Sequence, residues 1–107
     1  MKPSVKAKWL RALRSGKYKQ GTGMLRSADN SYCCLGVLCD LYKKKTWISD
    51  EGLWAYGDKG IYAYPPLFVR KAADLDYTGN RFVSTLAAMN DGGKSFSEIA
   101  DWIEKNL

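Results

Sequence analysis

Three observations predict a small α+β domain. The run Tyr32-Cys33-Cys34-Leu35-Gly36-Val37-Leu38-Cys39-Asp40-Leu41-Tyr42 is apolar without alternation and stops at Lys43-Lys44-Lys45, which is the pattern of a buried helix and not of a strand. Ser95-Phe96-Ser97-Glu98 forms a capping box ahead of Ile99, Ala100, Ile103 and Leu107, the start of an amphipathic C-terminal helix. Between them, aromatic residues separated by glycine-containing turns read as short antiparallel strands. A chain of 107 residues has room for one core, so residues 1–107 are read as a single domain.

Taken in order, Ser4 is expected to cap a first helix from about Val5 to Arg14, ended by Ser15-Gly16. Val5, Trp9, Ala12 and Leu13 make its apolar stripe, with Lys8, Arg11 and Arg14 on the opposite side. A short strand from about Gly23, a turn at Ala28-Asp29-Asn30-Ser31 and a brief strand at Ser31 to Cys33 then lead into the central helix. In that helix Cys34, Leu38 and Leu41 share one face, while Leu35, Cys39 and Tyr42 share the adjoining one. Gly36 costs about 1 kcal/mol relative to alanine in a helix interior, so another backbone is expected to approach there. Lys43 to Lys45 complement the negative end of the helix.

After Trp47-Ile48 and a polar turn at Ser49 to Gly52, the segments 53–56, 57–60 and 61–64 read as strand, turn, strand. Pro66 suits the first turn of a helix over Leu67 to Asp74, with Leu67, Val69, Ala73 and Leu75 available for burial. Asp76 to Asn80 reads as a loop. Arg81 to Met89 carries both helical and β-rich patterns, and the helix is preferred. On the C-terminal helix, Asp101 and Lys105 have the spacing of an exposed pair.

Composition narrows the chemistry. Histidine is absent, which excludes a Ser-His-Asp triad, a Cys-His nucleophile and a mixed Cys/His zinc site. Three cysteines, two adjacent within an apolar helix, make a poor disulfide framework and cannot complete a four-thiolate site. Cys33 near a helix start has a weak claim to reactivity without an adjacent base. No catalytic residue, metal or cofactor is expected. With no leader or membrane-spanning pattern, a cytoplasmic protein is expected.

The net charge of +6 is segregated. Residues 1–28 carry Lys2, Lys6, Lys8, Arg11, Arg14, Lys17, Lys19 and Arg26 without one carboxylate, whereas the remainder is slightly acidic. One positive end follows. Lys8, Arg11 and Arg14 are therefore candidate anion contacts, the alternative being a solvated helix back.

Two further groups are candidate ligand contacts. Period two puts Trp54 with Tyr56 and Tyr62 with Tyr64, four rings that line a stacking groove if open and belong to the core if covered. Asn90-Asp91-Gly92-Gly93-Lys94-Ser95 ends like a phosphate loop, but Ala88 stands where that motif needs glycine. What survives is a glycine-rich helix start at which Asn90, Asp91, Lys94 and Ser95 can hold one phosphate, or a turn in which Asn90 or Asp91 bonds backbone.

The segments Y-C-C-L-G-V-L-C-D-L, Y-P-P-L-F-V and M-N-D-G-G-K-S-F-S-E-I-A-D-W-I-E together resemble a group of small uncharacterised proteins carried by bacteriophages. The resemblance implies a phage accessory protein acting inside a bacterium, and no particular activity. Combined with the charge and the rings, it suggests a non-catalytic counter-defence protein that sequesters an anionic nucleotide-like ligand, such as a cyclic nucleotide signal. A second reading is an inhibitor that holds a host defence protein or nucleic-acid enzyme through the basic face. A third is a non-specific nucleic-acid binder. A homo-oligomer is compatible with the first.

Overall fold

Burial of the central apolar run organises the chain. A computed structural model describes residues 1–76 and 81–107. Among these, the elements are α1 (Pro3–Arg14), α2 (Cys34–Tyr42), β1 (Trp47–Asp50), β2 (Leu53–Tyr56), α3 (Leu67–Ala73), α4 (Arg81–Asp91) and α5 (Phe96–Asn106), with a 3-10 turn at Lys44–Thr46. The fold is α+β, as expected. α2 lies between α1 and α4, and α5 packs against both of those helices. Trp9, Leu13, Leu25, Leu35, Val37, Leu38, Leu86, Ile99 and Ile103 form the core between them.

Each boundary has a local cause. α1 begins two residues earlier than expected, at Pro3, because proline's fixed φ and missing N–H suit the first helical position. Ser4 is therefore inside the helix, Lys2 is its cap residue, and the Lys2 N–H donates to the Ala73 carbonyl of α3 at 2.9 Å. α2 starts at Cys34 and not at Tyr32. The Cys33 sulfur accepts from the Gly36 N–H, and the Cys34 N–H donates to Asn90 Oδ1 at 3.1 Å, so two otherwise orphaned donors are satisfied. Residues 34–40 are all buried, but Leu41 and Tyr42 in the last turn are exposed, contrary to their expected place on buried faces.

The expected hairpin at 23–33 is instead a loop in which Tyr32 makes isolated bridges to Gln20 and to Arg26. Positive φ at Gly23 and Asn30 bends the backbone out of strand geometry. The second hairpin is shifted by one unit. β2 pairs with β1, in the register Trp47↔Tyr56 to Asp50↔Leu53, across Glu51-Gly52. Both turn residues have positive φ, 52° and 84°, the two-residue geometry that matches strand twist. The four-residue Gly57–Gly60 loop does not return a paired strand. Residues 61–64 peel away, and the Tyr62 carbonyl accepts from Leu25 N at 2.7 Å.

α3 follows Pro66, its cap residue, and ends where Asp74 turns left-handed. Val69, Ala73 and Leu75 are buried as expected, but Leu67 is exposed. Position 81–89 is helical, within α4. Of the expected 76–80 loop, residues 77–80 lie outside the described residues; Asp76 accepts from Val83 N at 2.6 Å and so caps α4. The capping box at Ser95 forms in full. Asp101, however, pairs with Arg14 of α1 and not along its own helix with Lys105.

Candidate functional site

The structure disperses the predicted contact residues. On α1, Arg14 is held by Asp101 and Glu104 of α5 at 2.8 and 2.9 Å, and Lys6 donates to the Glu104 carbonyl. That flank of the helix is neutralised internally. Lys8 and Arg11 remain exposed without an ion partner among the described residues, and Lys8 turns toward α2 and α3. The three cations therefore do not act as one face.

The four rings are likewise separated. Tyr56 is enclosed, its hydroxyl donating to the Lys43 carbonyl and accepting from Lys43 N. Trp54 is covered by the Arg26 guanidinium, 3.9 Å from the ring centroid, a cation–π contact. Tyr62 donates to Asp50 at 2.5 Å. Tyr64 borders a recess of about 90 Å³ with Met24, Cys33 and Asp91. No shared stacking surface results.

At the glycine-rich helix start most donors are already used. Asn90 is buried; its Oδ1 accepts from Cys34 N and Gln20 Nε2, and its Nδ2 donates to the Gly21 carbonyl. Asp91 accepts from Gly23 N at 2.9 Å. Ser95 N donates to Glu98, Ser95 Oγ accepts from Glu98 N, and Phe96 N donates to Gln20 Oε1. Lys94 lies 3.8 Å from Glu98. The segment is a structural knot that fastens the 20–33 loop to two helices, with the turn chemistry that was the alternative to a phosphate site.

Asp40 has a similar role. It is buried on α2 and accepts from Tyr18 Oη at 2.5 Å, Lys44 Nζ at 2.9 Å and Trp47 Nε1 at 3.1 Å. Burial alone would raise its pKa, but these three donors outweigh burial and hold it below the usual carboxylate value. From Tyr18 a chain of ring contacts runs through Tyr32, Trp47, Tyr56 and Phe68 to Tyr42, with centroids 4.8 to 6.1 Å apart. The chain starts at a buried carboxylate and ends in solvent.

Its exposed end marks a groove. Val5 and Lys8 of α1, Leu38, Leu41 and Tyr42 of α2, and Val69, Ala72 and Ala73 of α3 enclose about 220 Å³. Leu38, Val69 and Ala73 are buried at its floor, whereas Leu41 (37%) and Tyr42 (39%) stand exposed at its edge. Phe68 is 43% exposed and its ring is 5.8 Å from that of Tyr42. Leu67, beside it in sequence, is 48% exposed. Among the described residues Lys8 is the single charged lining residue, and Lys43 Nζ sits 5.8 Å from the Tyr42 ring. Large apolar side chains thus stand exposed beside an apolar floor, with Lys8 and Lys43 close to them.

Sequence reasoning missed this face, although a signal was present. Leu67-Phe68-Val69 are consecutive, so at 100° per residue they span too wide an arc for all three to face the core.

The thiols are not poised for chemistry. Burial pushes Cys33 up to about 11, and Cys34 and Cys39 well above the ordinary 9.0. Because the folded pKa values are raised, the stabilisation is complete below about pH 9 and is lost as pH rises through about 11. The urea midpoint should therefore be level from pH 7 to 8.5 and fall steeply from pH 9 to 11. Native protein at pH 8 should resist a thiol reagent that labels all three cysteines in urea. A midpoint unchanged at pH 11 would contradict the burial assigned to these side chains.

No helix among the described residues is long and apolar enough to cross a membrane. Compared with known families, residues 1–107 match one family model, described as a domain of unknown function, DUF8296. No curated protein and no solved structure matches.

Proposed function

The chain belongs to the DUF8296 family along residues 1–107, and we propose that it is a non-catalytic binding protein acting by occupancy, with the α1–α2–α3 groove as the face that holds a partner protein. The observation that carries this reading is the exposure of Leu41 and Tyr42 at the edge of an apolar floor, with the exposed Phe68 ring against Tyr42. Burying such side chains in a partner contributes roughly 1.5–3 kcal/mol each before the costs of association. The lack of histidine and the buried, protonated thiols support a role without covalent or proton-transfer chemistry. The resemblance to phage accessory proteins supports a bacterial protein as the partner, bound during infection to block its activity.

The nucleotide-trap reading has less support. Its rings and cations lie apart, and Arg14 is committed to α5.

Site-specific cross-linking tests the docking face. A photoreactive phenylalanine analogue placed at Phe68 or at Leu41 should give a discrete protein adduct in bacteria. The same analogue at Ser97, exposed on α5, should not. The substitution Ala72→Arg should abolish the adduct without lowering expression. Adducts of equal yield from all three positions, or none from the groove, would overturn the reading.

A further inference from the structure

We infer that the occupant of the groove is an acidic amphipathic helix of the partner, an inference that rests on the docking reading above. Backbone chemistry comes first. The groove is lined by residues of three helices, whose interior N–H and C=O groups are paired within their own turns. An extended peptide laid there would find no sheet edge to join and would leave its own backbone groups without partners. A helix arrives with those groups satisfied and offers only side chains. The space of about 220 Å³ takes about two of the apolar anchors that such a helix projects at i, i+3 or i+4.

Charge sets the other half of the recognition. α1 has two charged flanks with different fates. Lys6 and Arg14 are bound by groups of α5. Lys8 lines the groove, Arg11 follows it by three residues on the solvent side, and both lack an ion partner among the described residues. Lys43 Nζ lies 5.8 Å from the ring of Tyr42, which is itself a lining residue. Among the described residues no carboxylate lines the groove to offset them. A partner helix with Asp or Glu flanking its apolar stripe meets these cations, and one with Lys or Arg is repelled. A second copy of this chain fits poorly, since both copies carry a net charge of +6 and the same basic edges.

Three synthetic helical peptides of about 15 residues test this, a length at which an isolated helix is marginal and binding is read against a common folding cost. They share leucines at i, i+4 and i+7 and differ only in whether the flanking positions are Glu, Gln or Lys. Binding is followed by fluorescence anisotropy and by amide shifts of the full-length protein, for the wild type, Lys8→Glu, Ala72→Arg and Leu41→Ser. Thermal melts show that each variant folds.

The acidic peptide should bind at least about tenfold more tightly than the neutral one, and the basic peptide should not bind. Lys8→Glu should weaken the acidic peptide about tenfold and admit the basic one, an inversion that loss of fold cannot produce. Shifts should cluster on α2 and α3, and Ala72→Arg and Leu41→Ser should each weaken binding. Equal binding of the three peptides would overturn the acidic assignment and leave the groove as a docking face. Binding indifferent to Ala72→Arg would overturn the groove itself. If a mononucleotide or an anionic vesicle shifts the groove amides and no peptide does, the helical occupant is wrong.

Discussion

Gly36→Ala should destabilise the domain by about 3–5 kcal/mol, in the range where a domain of this size loses much of its folded population at 37 °C. In an exposed helix the same change stabilises by about 1 kcal/mol, so the expected sign is reversed. The reason is steric. A Cβ on Gly36 would lie 1.8 Å from the Leu25 carbonyl oxygen, 2.6 Å from its carbon and 3.1 Å from its Cα. These are backbone atoms and have no rotamer in which to move aside. Relief requires α2 to withdraw from the 20–33 loop, which would stretch the Cys33 N–H to Leu25 carbonyl bond, now 3.3 Å, and loosen the Leu25 N–H to Tyr62 carbonyl bond at 2.7 Å. Overpacking ordinarily costs about 1–3 kcal/mol, and a main-chain clash belongs above that range. Urea unfolding checks it, with Gly16→Ala as the control. Gly16 has φ of 75° and open space around it, so its alanine variant should lose only about 1 kcal/mol in backbone strain. Equal stability of Gly36→Ala and the wild type would mean that α2 and Leu25 are not in main-chain contact.

That contact was legible from one residue. A glycine in the most apolar helix carries a helix-propensity cost that its side chain cannot offset, which is why a close backbone was expected there. The capping box at Ser95 was legible for a comparable reason, since both of its bonds are local. What local pattern could not supply was the choice among competing partners. Leu53–Tyr56 has a strand sequence, but whether it pairs with 47–50 or 61–64 depends on which turn matches strand twist, and Glu51-Gly52 prevails with two adjacent positive φ angles. The basic side of α1 reads as one face on a helical wheel. It divides because α5 brings Asp101 and Glu104 to one flank only. Leu41 and Tyr42 continue the apolar run in sequence, yet among the described residues no further helix covers the end of α2, and their exposure is a tertiary fact.

The same limit explains the glycine-rich segment at 90–95, and it gives the second large prediction. Asn90→Ala should cost about 3–5 kcal/mol, lowering Tm by more than about 12 °C at the 4–8 °C per kcal/mol expected near 100 residues. Asn90 is 1% exposed and makes bonds in three directions: from Cys34 N at 3.1 Å, from Gln20 Nε2 at 3.0 Å and to the Gly21 carbonyl at 2.7 Å. Alanine leaves the first N–H of the central helix and a loop carbonyl without these partners, each loss costing about 1–3 kcal/mol. Asn90→Asp separates the donor and acceptor roles. An ionised carboxylate can still accept from Cys34 N and Gln20, but it faces the Gly21 carbonyl with a charge and no proton. Protonation restores a donor, so the stability gap between Asn90→Asp and wild type should narrow as pH falls from 7 toward 4. Asn90→Ala should show no such recovery relative to wild type. A ligand-binding asparagine would behave differently: the alanine variant would melt near the wild-type temperature. Thermal melts of the two variants across that pH range therefore decide whether Asn90 belongs to the fold or to a phosphate site.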